Sequence, residues 1–187
     1  MKVPGASRGF ARLSACIGIG LAVVFSVRAE SDGEDVYLAP ETFIAEAFQD
    51  GEPGQASVLW LTPALKPGVK QILGHDYNAL RIRYWRREAR TAWILEEIGK
   101  VKPITTGIVV EGQRISRLQV LVYRESHGWE VKHPFFTDQF KDVGLRERDQ
   151  LSEPIDGITG ATLSVSALRR LVRLALYLDR QVQESSD

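Results

Sequence analysis

The stretch "ITTGIVVEGQRISRLQVLVY", Ile104–Tyr123, decides the fold because it contains two β-strands around a tight turn. β-Branched and aliphatic residues dominate Ile104–Val110 and recur at alternate positions of Ile115–Tyr123. Between these runs, Glu111-Gly112-Gln113 offers the glycine that short hairpin turns require. The sequence therefore predicts a β-hairpin with one buried face.

A second pair of strands precedes this hairpin. Leu80–Trp85 and Thr91–Ile98 alternate aromatic and β-branched residues with charged ones, on either side of a polar turn predicted at Arg86–Arg90. Such alternation is typical of half-buried antiparallel strands. Two adjacent hairpins predict an antiparallel sheet of about four strands.

Helical patterns flank these strands. A first helix is expected to begin at Pro40, since proline is favoured in the first turn, and Val69–Leu73 forms at most a short one. A long C-terminal helix is expected from about Leu163, because apolar residues recur with the helical period. These are Leu168, Leu171, Val172, Ala175 and Leu178. The sequence thus predicts an α+β fold in which the sheet packs against helices, including the C-terminal one.

The first 29 residues have the features of an export signal. A basic start precedes the apolar run Ala15–Val27, and Ala29 supplies a small residue for cleavage. Because the run is shorter than the ~20 residues that span a bilayer, we expect a cleaved signal, with a retained N-terminal anchor as the alternative. A linker over 30–38 and a single domain over 39–187 would then lie outside the cytoplasm, in the periplasm.

Composition excludes several kinds of function. The signal holds four of the 24 basic residues, so 20 remain against 24 acidic ones, and a nucleic-acid partner is not expected. The one cysteine, Cys16, lies in the signal, which excludes disulfides, thiolate catalysis and iron–sulfur clusters from the mature chain. His75, His127 and His133 lack metal-binding spacing, so no metal site is expected. Redox chemistry would need an organic cofactor.

The segment "IDGITGATLSV", Ile155–Val165, places small residues at the start of the C-terminal helix. Gly160 and Ala161 remove side-chain bulk, and Thr162 presents a hydroxyl. A helix N-terminus offers unpaired N–H groups and a partial positive charge, worth roughly 0.3–1 kcal/mol to an exposed anion. The segment therefore either receives a phosphate or is a simple turn in which Thr162 or Ser164 is an ordinary N-cap.

Asp156-Gly157-Ile158-Thr159-Gly160-Ala161-Thr162 resembles the acceptor motif of FMN-binding domains in which FMN is attached through its phosphate to a threonine. These domains occur in the C and G subunits of the sodium-pumping NADH:quinone reductase and the Rnf-type electron-transport complexes, and in related exported flavoproteins. The family pattern is Asp, two variable positions, Ser or Thr, then Gly-Ala-Thr, and every position is met. The resemblance implies that Thr162 is the FMN acceptor and that the cofactor is held by Asp156, Gly157, Thr159, Gly160 and Ala161.

A second part of the resemblance lies just after the hairpin. Glu125-Ser126-His127-Gly128 stands where the family has a Glu-Thr-Pro-Gly loop on the flavin side, with His127 in place of the proline. The resemblance, which covers about residues 100 to 180, implies cofactor contacts for Glu125, Ser126 and Gly128. Tyr123 and Trp129 flank this loop and could either stack on the flavin or belong to the core.

The resemblance implies an exported electron carrier with covalent FMN. A separate flavin transferase would load the cofactor, and a membrane electron-transfer protein would be the redox partner. The sequence has no glycine fingerprint for a nicotinamide cofactor, which favours an electron-transfer component over a complete enzyme. The alternatives are a flavin-dependent reductase or oxidase that acts alone and a non-redox periplasmic binding or assembly module. Five arginines cluster from Arg81 to Arg90 and are interpreted as a solvated face. The alternative is that they bind an anionic partner, a membrane surface or the FMN phosphate.

Overall fold

The computed structural model describes residues 34–48 and 54–185, and the centre of this part is an antiparallel sheet of six strands. The strands are β1 (Asp35–Val36), β2 (Gln55–Trp60), β3 (Arg81–Arg87), β4 (Arg90–Ile98), β5 (Pro103–Glu111) and β6 (Arg114–Tyr123). The helices are α1 (Pro40–Ala47), α2 (Lys66–Leu73), α3 (Pro134–Thr137) and α4 (Thr162–Glu184). The α+β class and the long C-terminal helix are confirmed, whereas the signal prediction concerns residues outside the described ranges.

The strand order is β1-β6-β5-β4-β3-β2, so the two predicted hairpins form the middle of the sheet. The expected count of about four strands is wrong because β1 and β2 extend the two edges. β2 is a short run between Gly54 and Pro63 with no charged residue to mark alternation. β1 has only two residues, which pair with Val122 and Tyr123, and it lies inside the segment predicted as a linker. Such short edge strands are set by tertiary pairing and not by local pattern.

Both central hairpins have tight two-residue turns. Arg87 pairs with Arg90 across the first turn. The segment Arg86–Arg90, predicted as a polar turn, is therefore mostly strand. In the second turn Gly112 and Gln113 have φ of 57° and 61°, the left-handed geometry of hairpin turns that follow the sheet twist. The Gly112 turn thus sets the register of β5 and β6.

Helices cover the two faces of the sheet unequally. The apolar stripe of α4 is fully buried against one face, where Trp93, Leu95 and Ile108 point from the strands. Ala92 and Val109, which adjoin Trp93 and Ile108 in the strands, point to the other face of the sheet and pack there with α1. A buried helix with this periodicity is what the sequence predicts for α4.

Arginines on α4 hold the irregular segment that precedes it. Arg169 donates to the carbonyl oxygen of Ile155, and Arg173 Nε donates to the carbonyl oxygen of Asp149 at 2.6 Å. The chain is thereby fixed just before it reaches the small-residue segment. Within residues 34–48 and 54–185, no helix combines the length and hydropathy needed to cross a membrane.

Candidate functional site

The N-terminus of α4 presents the threonine of the small-residue segment. Gly160 has a φ of +83°, which turns the chain, and a Cβ built there meets no atom within 4 Å. Ala161 is the buried N-cap, and Thr162 is the first helical residue, with an exposed side chain. The first N–H groups of a helix have no partner inside it. The exposed Thr162 hydroxyl therefore lies beside backbone N–H groups that have no partner inside α4. The space around the adjacent Gly160 is open.

The N-cap interpretation of this segment does not fit the geometry. No side chain caps α4, since the N-cap is Ala161. The Ser164 hydroxyl lies 2.9 Å from the Tyr123 hydroxyl, and Thr162 makes no hydrogen bond with another side chain of the described residues. The Thr162 hydroxyl is thus neither a cap of α4 nor bonded to another side chain in the described part of the chain.

Glu125 fixes the loop after β6 against the turn between β4 and β5. Its Oε1 accepts hydrogen bonds from the backbone N–H groups of Lys100, Val101 and Lys102 at 2.6, 2.6 and 2.9 Å. Burial would raise the pKa of the Glu125 carboxyl, but these N–H groups outweigh it and hold the pKa below its ordinary value. Glu125 is therefore an anionic clamp between two loops.

Gly128 joins this loop to α4. Its φ is +85°, and a Cβ built there would lie 2.7 Å from Ser164 Oγ and 3.0 Å from the Tyr123 hydroxyl. Tyr123 donates to the carbonyl oxygen of His127 at 2.5 Å, and its ring is only 1% exposed. Tyr123 is therefore a core residue that positions the loop, which leaves no open ring face for stacking on a flavin.

These parts surround one cavity of about 310 Å³. Its walls come from the β4–β5 turn, the loop after β6 and the start of α4. The lining residues are Lys100, Glu125, Ser126, His127, Gly160, Ala161, Thr162, Leu163 and Ser164. The structure thus brings together two segments, about 35 residues apart, that the sequence singles out separately.

Lys100, Leu163 and Ser164 also line the cavity, although they are not among the site residues predicted from the sequence. Leu163 and Ser164 directly follow Thr162, so their position in the segment was the available signal. Lys100 lies 62 residues before Thr162, and only the closing of the β4–β5 turn brings it near. It supplies an ammonium group where a phosphate would need a counter-charge.

Asp156, Gly157 and Thr159 lie just before the cavity and are not among its lining residues. All three are exposed, and the Asp156 backbone N–H donates to Gln139 Oε1 at 2.7 Å. A Cβ built on Gly157 meets no atom within 4 Å. These three residues therefore form an exposed segment that leads to Thr162.

Of the remaining candidates, His127 lines the cavity and the others do not. Trp129 is 44% exposed and is not a lining residue. None of the arginines from Arg81 to Arg90 lines the cavity. Two of them have other contacts: Arg90 pairs with Glu111 at 2.5 Å, and Arg81 lies over the Trp60 ring. Within the described ranges, no group of three or more His, Cys, Asp or Glu side chains could hold a metal.

The cavity fits the phosphate end of FMN. It offers a hydroxyl, an ammonium group and helical N–H donors, and its volume lies at the lower end of the range for small-molecule sites. A cavity of this size suits part of the cofactor and leaves the remainder exposed. When bound, FMN supplies one- and two-electron redox chemistry, and the protein supplies its position and electrostatic surroundings.

Comparison with known proteins supports FMN binding by one segment of the chain. No curated protein and no solved structure matches the chain. A family model described as "FMN-binding domain" matches residues 99–177, which include every residue that lines the cavity. The match supports an FMN-binding domain over this segment, and with it a flavin-binding function for the chain.

Proposed function

We propose that this protein is an extracytoplasmic flavoprotein electron carrier with FMN attached to Thr162 through a phosphoester. The observation that carries the proposal is the exposed Thr162 side chain on a cavity that also holds Lys100 and the Glu125–Gly128 loop. A covalent bond would keep the cofactor from diffusing away outside the cell. The carrier would relay electrons to or from a membrane redox protein.

Attachment requires activation from outside this site. A threonine hydroxyl is a weak nucleophile at neutral pH. Glu125 and His127 line the same cavity, but neither side chain is hydrogen-bonded to Thr162 in the described part of the chain. A flavin transferase would supply the activation and take FMN from FAD. Thr162 Oγ would bond to the FMN phosphorus, the bond to the AMP part of FAD would break, and the hydroxyl proton would be lost. The flavin is neither oxidised nor reduced in this step.

The proposal is tested by intact mass and in-gel flavin fluorescence of full-length chain exported from cells with and without a flavin transferase. We expect a mass gain of one FMN less water only when the transferase is present. Thr162→Ala should abolish the gain, whereas Ser166→Ala, which removes a hydroxyl one turn along α4, should retain it. An unmodified chain with active transferase, or a modified Thr162→Ala variant, would contradict covalent attachment at Thr162.

The relay role needs a separate measurement. Flavinylated protein is mixed with NAD(P)H and common small-molecule acceptors under steady-state conditions. We expect no catalytic turnover, because the chain has no glycine fingerprint for a nicotinamide, whereas dithionite should still reduce the bound flavin. Turnover without a protein partner would instead show a reductase or oxidase that acts alone.

A further inference from the structure

A second concave site lies on the sheet face that α1 only partly covers. Helix α1 packs against β4, β5 and β6, so the same face of β3 is left open beside it. The groove there measures about 610 Å³, roughly twice the volume of the cavity at Thr162. Every lining residue precedes residue 99, so the groove lies outside the segment that matches the FMN-binding domain.

The floor of this groove is apolar. Ile44 from α1 is 5% exposed, while Trp85 from β3 and Ile94 from β4 are half-buried, and all three line the groove. The Trp85 ring and the two isoleucines together make an apolar surface for the flat or aliphatic part of a ligand. The volume falls within the range of small-molecule sites, which are mostly apolar with a few placed polar groups.

The polar groups at the groove are mainly cationic. Alternation along β3 puts Arg81 and Arg83 on the same face as Trp85. Arg81 lies over the Trp60 ring at 5.8 Å. Arg83 pairs with Val58 through the strand backbone, and its side chain makes no ion pair or hydrogen bond with any residue that the structure describes. Glu41 is the one acidic side chain in the lining, so positive charge prevails.

Tyr77 adds a neutral hydroxyl to the groove wall. Burial raises the pKa of its phenol above the ordinary value, and the nearby carboxylates of Glu96 and Glu97 raise it further. The hydroxyl therefore keeps its proton and remains a donor. A guanidinium and a phenol above an apolar floor are complementary to an anion with an apolar body.

We propose that this groove binds a small amphipathic anion, with its apolar body on Ile44, Trp85 and Ile94 and its carboxylate, sulfonate or phosphate on Arg83. The site is independent of the flavin, so its test is unaffected by the outcome at Thr162. Binding by Arg83 predicts discrimination between a charged ligand and an uncharged ligand of the same shape.

Two matched probes measure this discrimination on the full-length chain. 1-Anilinonaphthalene-8-sulfonate carries an aromatic body and one sulfonate, and N-phenyl-1-naphthylamine is the same body without the charge. We expect saturable fluorescence with the sulfonate, competition by decanoate and weaker competition by decanol. Arg83→Gln should weaken sulfonate binding by roughly tenfold and leave binding of the uncharged probe unchanged, because it removes one charge-assisted hydrogen bond.

Two further variants test the location of the site and control for non-specific charge. Ala45→Trp, at an exposed α1 position in the groove lining, should fill the groove and reduce binding of both probes. Arg148→Gln, at an exposed site outside the lining, should change neither. Equal weakening by Arg148→Gln and Arg83→Gln, or non-saturable sulfonate binding in folded wild-type protein, would overturn the proposal.

Discussion

Gly128 is the residue at which the loop after β6 touches α4. A side chain there would face both a left-handed φ of +85° and a Cβ position 2.7 Å from Ser164 Oγ. Gly160 has nearly the same φ, +83°, but open space around it. We predict that Gly128→Ala lowers the free energy of unfolding by about 1–3 kcal/mol more than Gly160→Ala does. Urea denaturation of both variants measures this difference, and equal losses would show that the contact with Ser164 carries no cost.

Glu125 links stability to acid pH. Its pKa is lowered in the folded state, so its contribution is present above the ordinary value of 4.5 and is lost as pH falls through the folded pKa. We predict that wild type loses stability relative to Glu125→Gln on acidification below pH 4.5. Denaturant titrations across this range provide the comparison. Glu130→Gln, a nearby change that leaves the three N–H bonds in place, should show no such pH-dependent difference.

At the scale of elements, Asp179 connects α4 to β4 and to the β5–β6 turn. This fully buried carboxylate accepts from Thr91 Oγ1 at 2.6 Å, from Gln183 Nε2 at 3.2 Å and from Gln113 Nε2. Burial raises the pKa of Asp179 above its ordinary value of 3.8, although the hydrogen bonds from Thr91 and Gln183 oppose the rise. Among the described residues, the side chains that donate hydrogen bonds to Asp179 are therefore all neutral.

This junction should titrate in the opposite sense to Glu125. Because the folded pKa is raised, the folded state binds the proton more tightly, and ionisation of Asp179 costs stability above the folded pKa. We predict that wild type gains stability relative to Asp179→Asn as pH falls through the raised folded pKa toward 3.8. The same denaturant series tests it, with the exposed Asp142→Asn as control. A constant difference between wild type and Asp179→Asn would contradict the raised pKa.

At the scale of the whole molecule, two apolar clusters share one sheet. Leu171 is fully buried in the larger cluster, and Phe43 in the smaller one contacts the backbone at Gly107. We predict that Leu171→Ala and Phe43→Ala each cost roughly 2–5 kcal/mol and that unfolding stays cooperative in both. Far-ultraviolet circular dichroism and tryptophan fluorescence should give coincident transitions. An earlier separate transition in Phe43→Ala would show that the α1 face unfolds independently.

Much of this architecture could be predicted from the sequence because its central elements are locally encoded. The two hairpins have alternation and turn residues, and α4 has an uninterrupted apolar stripe. The segment around Thr162 was recognisable for the same reason, since its residues are contiguous. β1, β2 and the lysine at position 100 could not be assigned, because each depends on pairing or closure between distant segments. The groove beside Arg83 likewise depends on where α1 ends its coverage of the sheet.

The outer edge of the sheet at β2 has a consequence for handling the protein. Gln55–Trp60 contains no charged residue and no proline, and Val58 and Trp60 are 43% and 57% exposed. Natural proteins usually block such an edge with charges, prolines or bulges, since its unpaired N–H and C=O groups are a template for another chain. Refolding yield should therefore fall with protein concentration, and a lysine at Val58 should reduce that dependence without altering the cavity at Thr162.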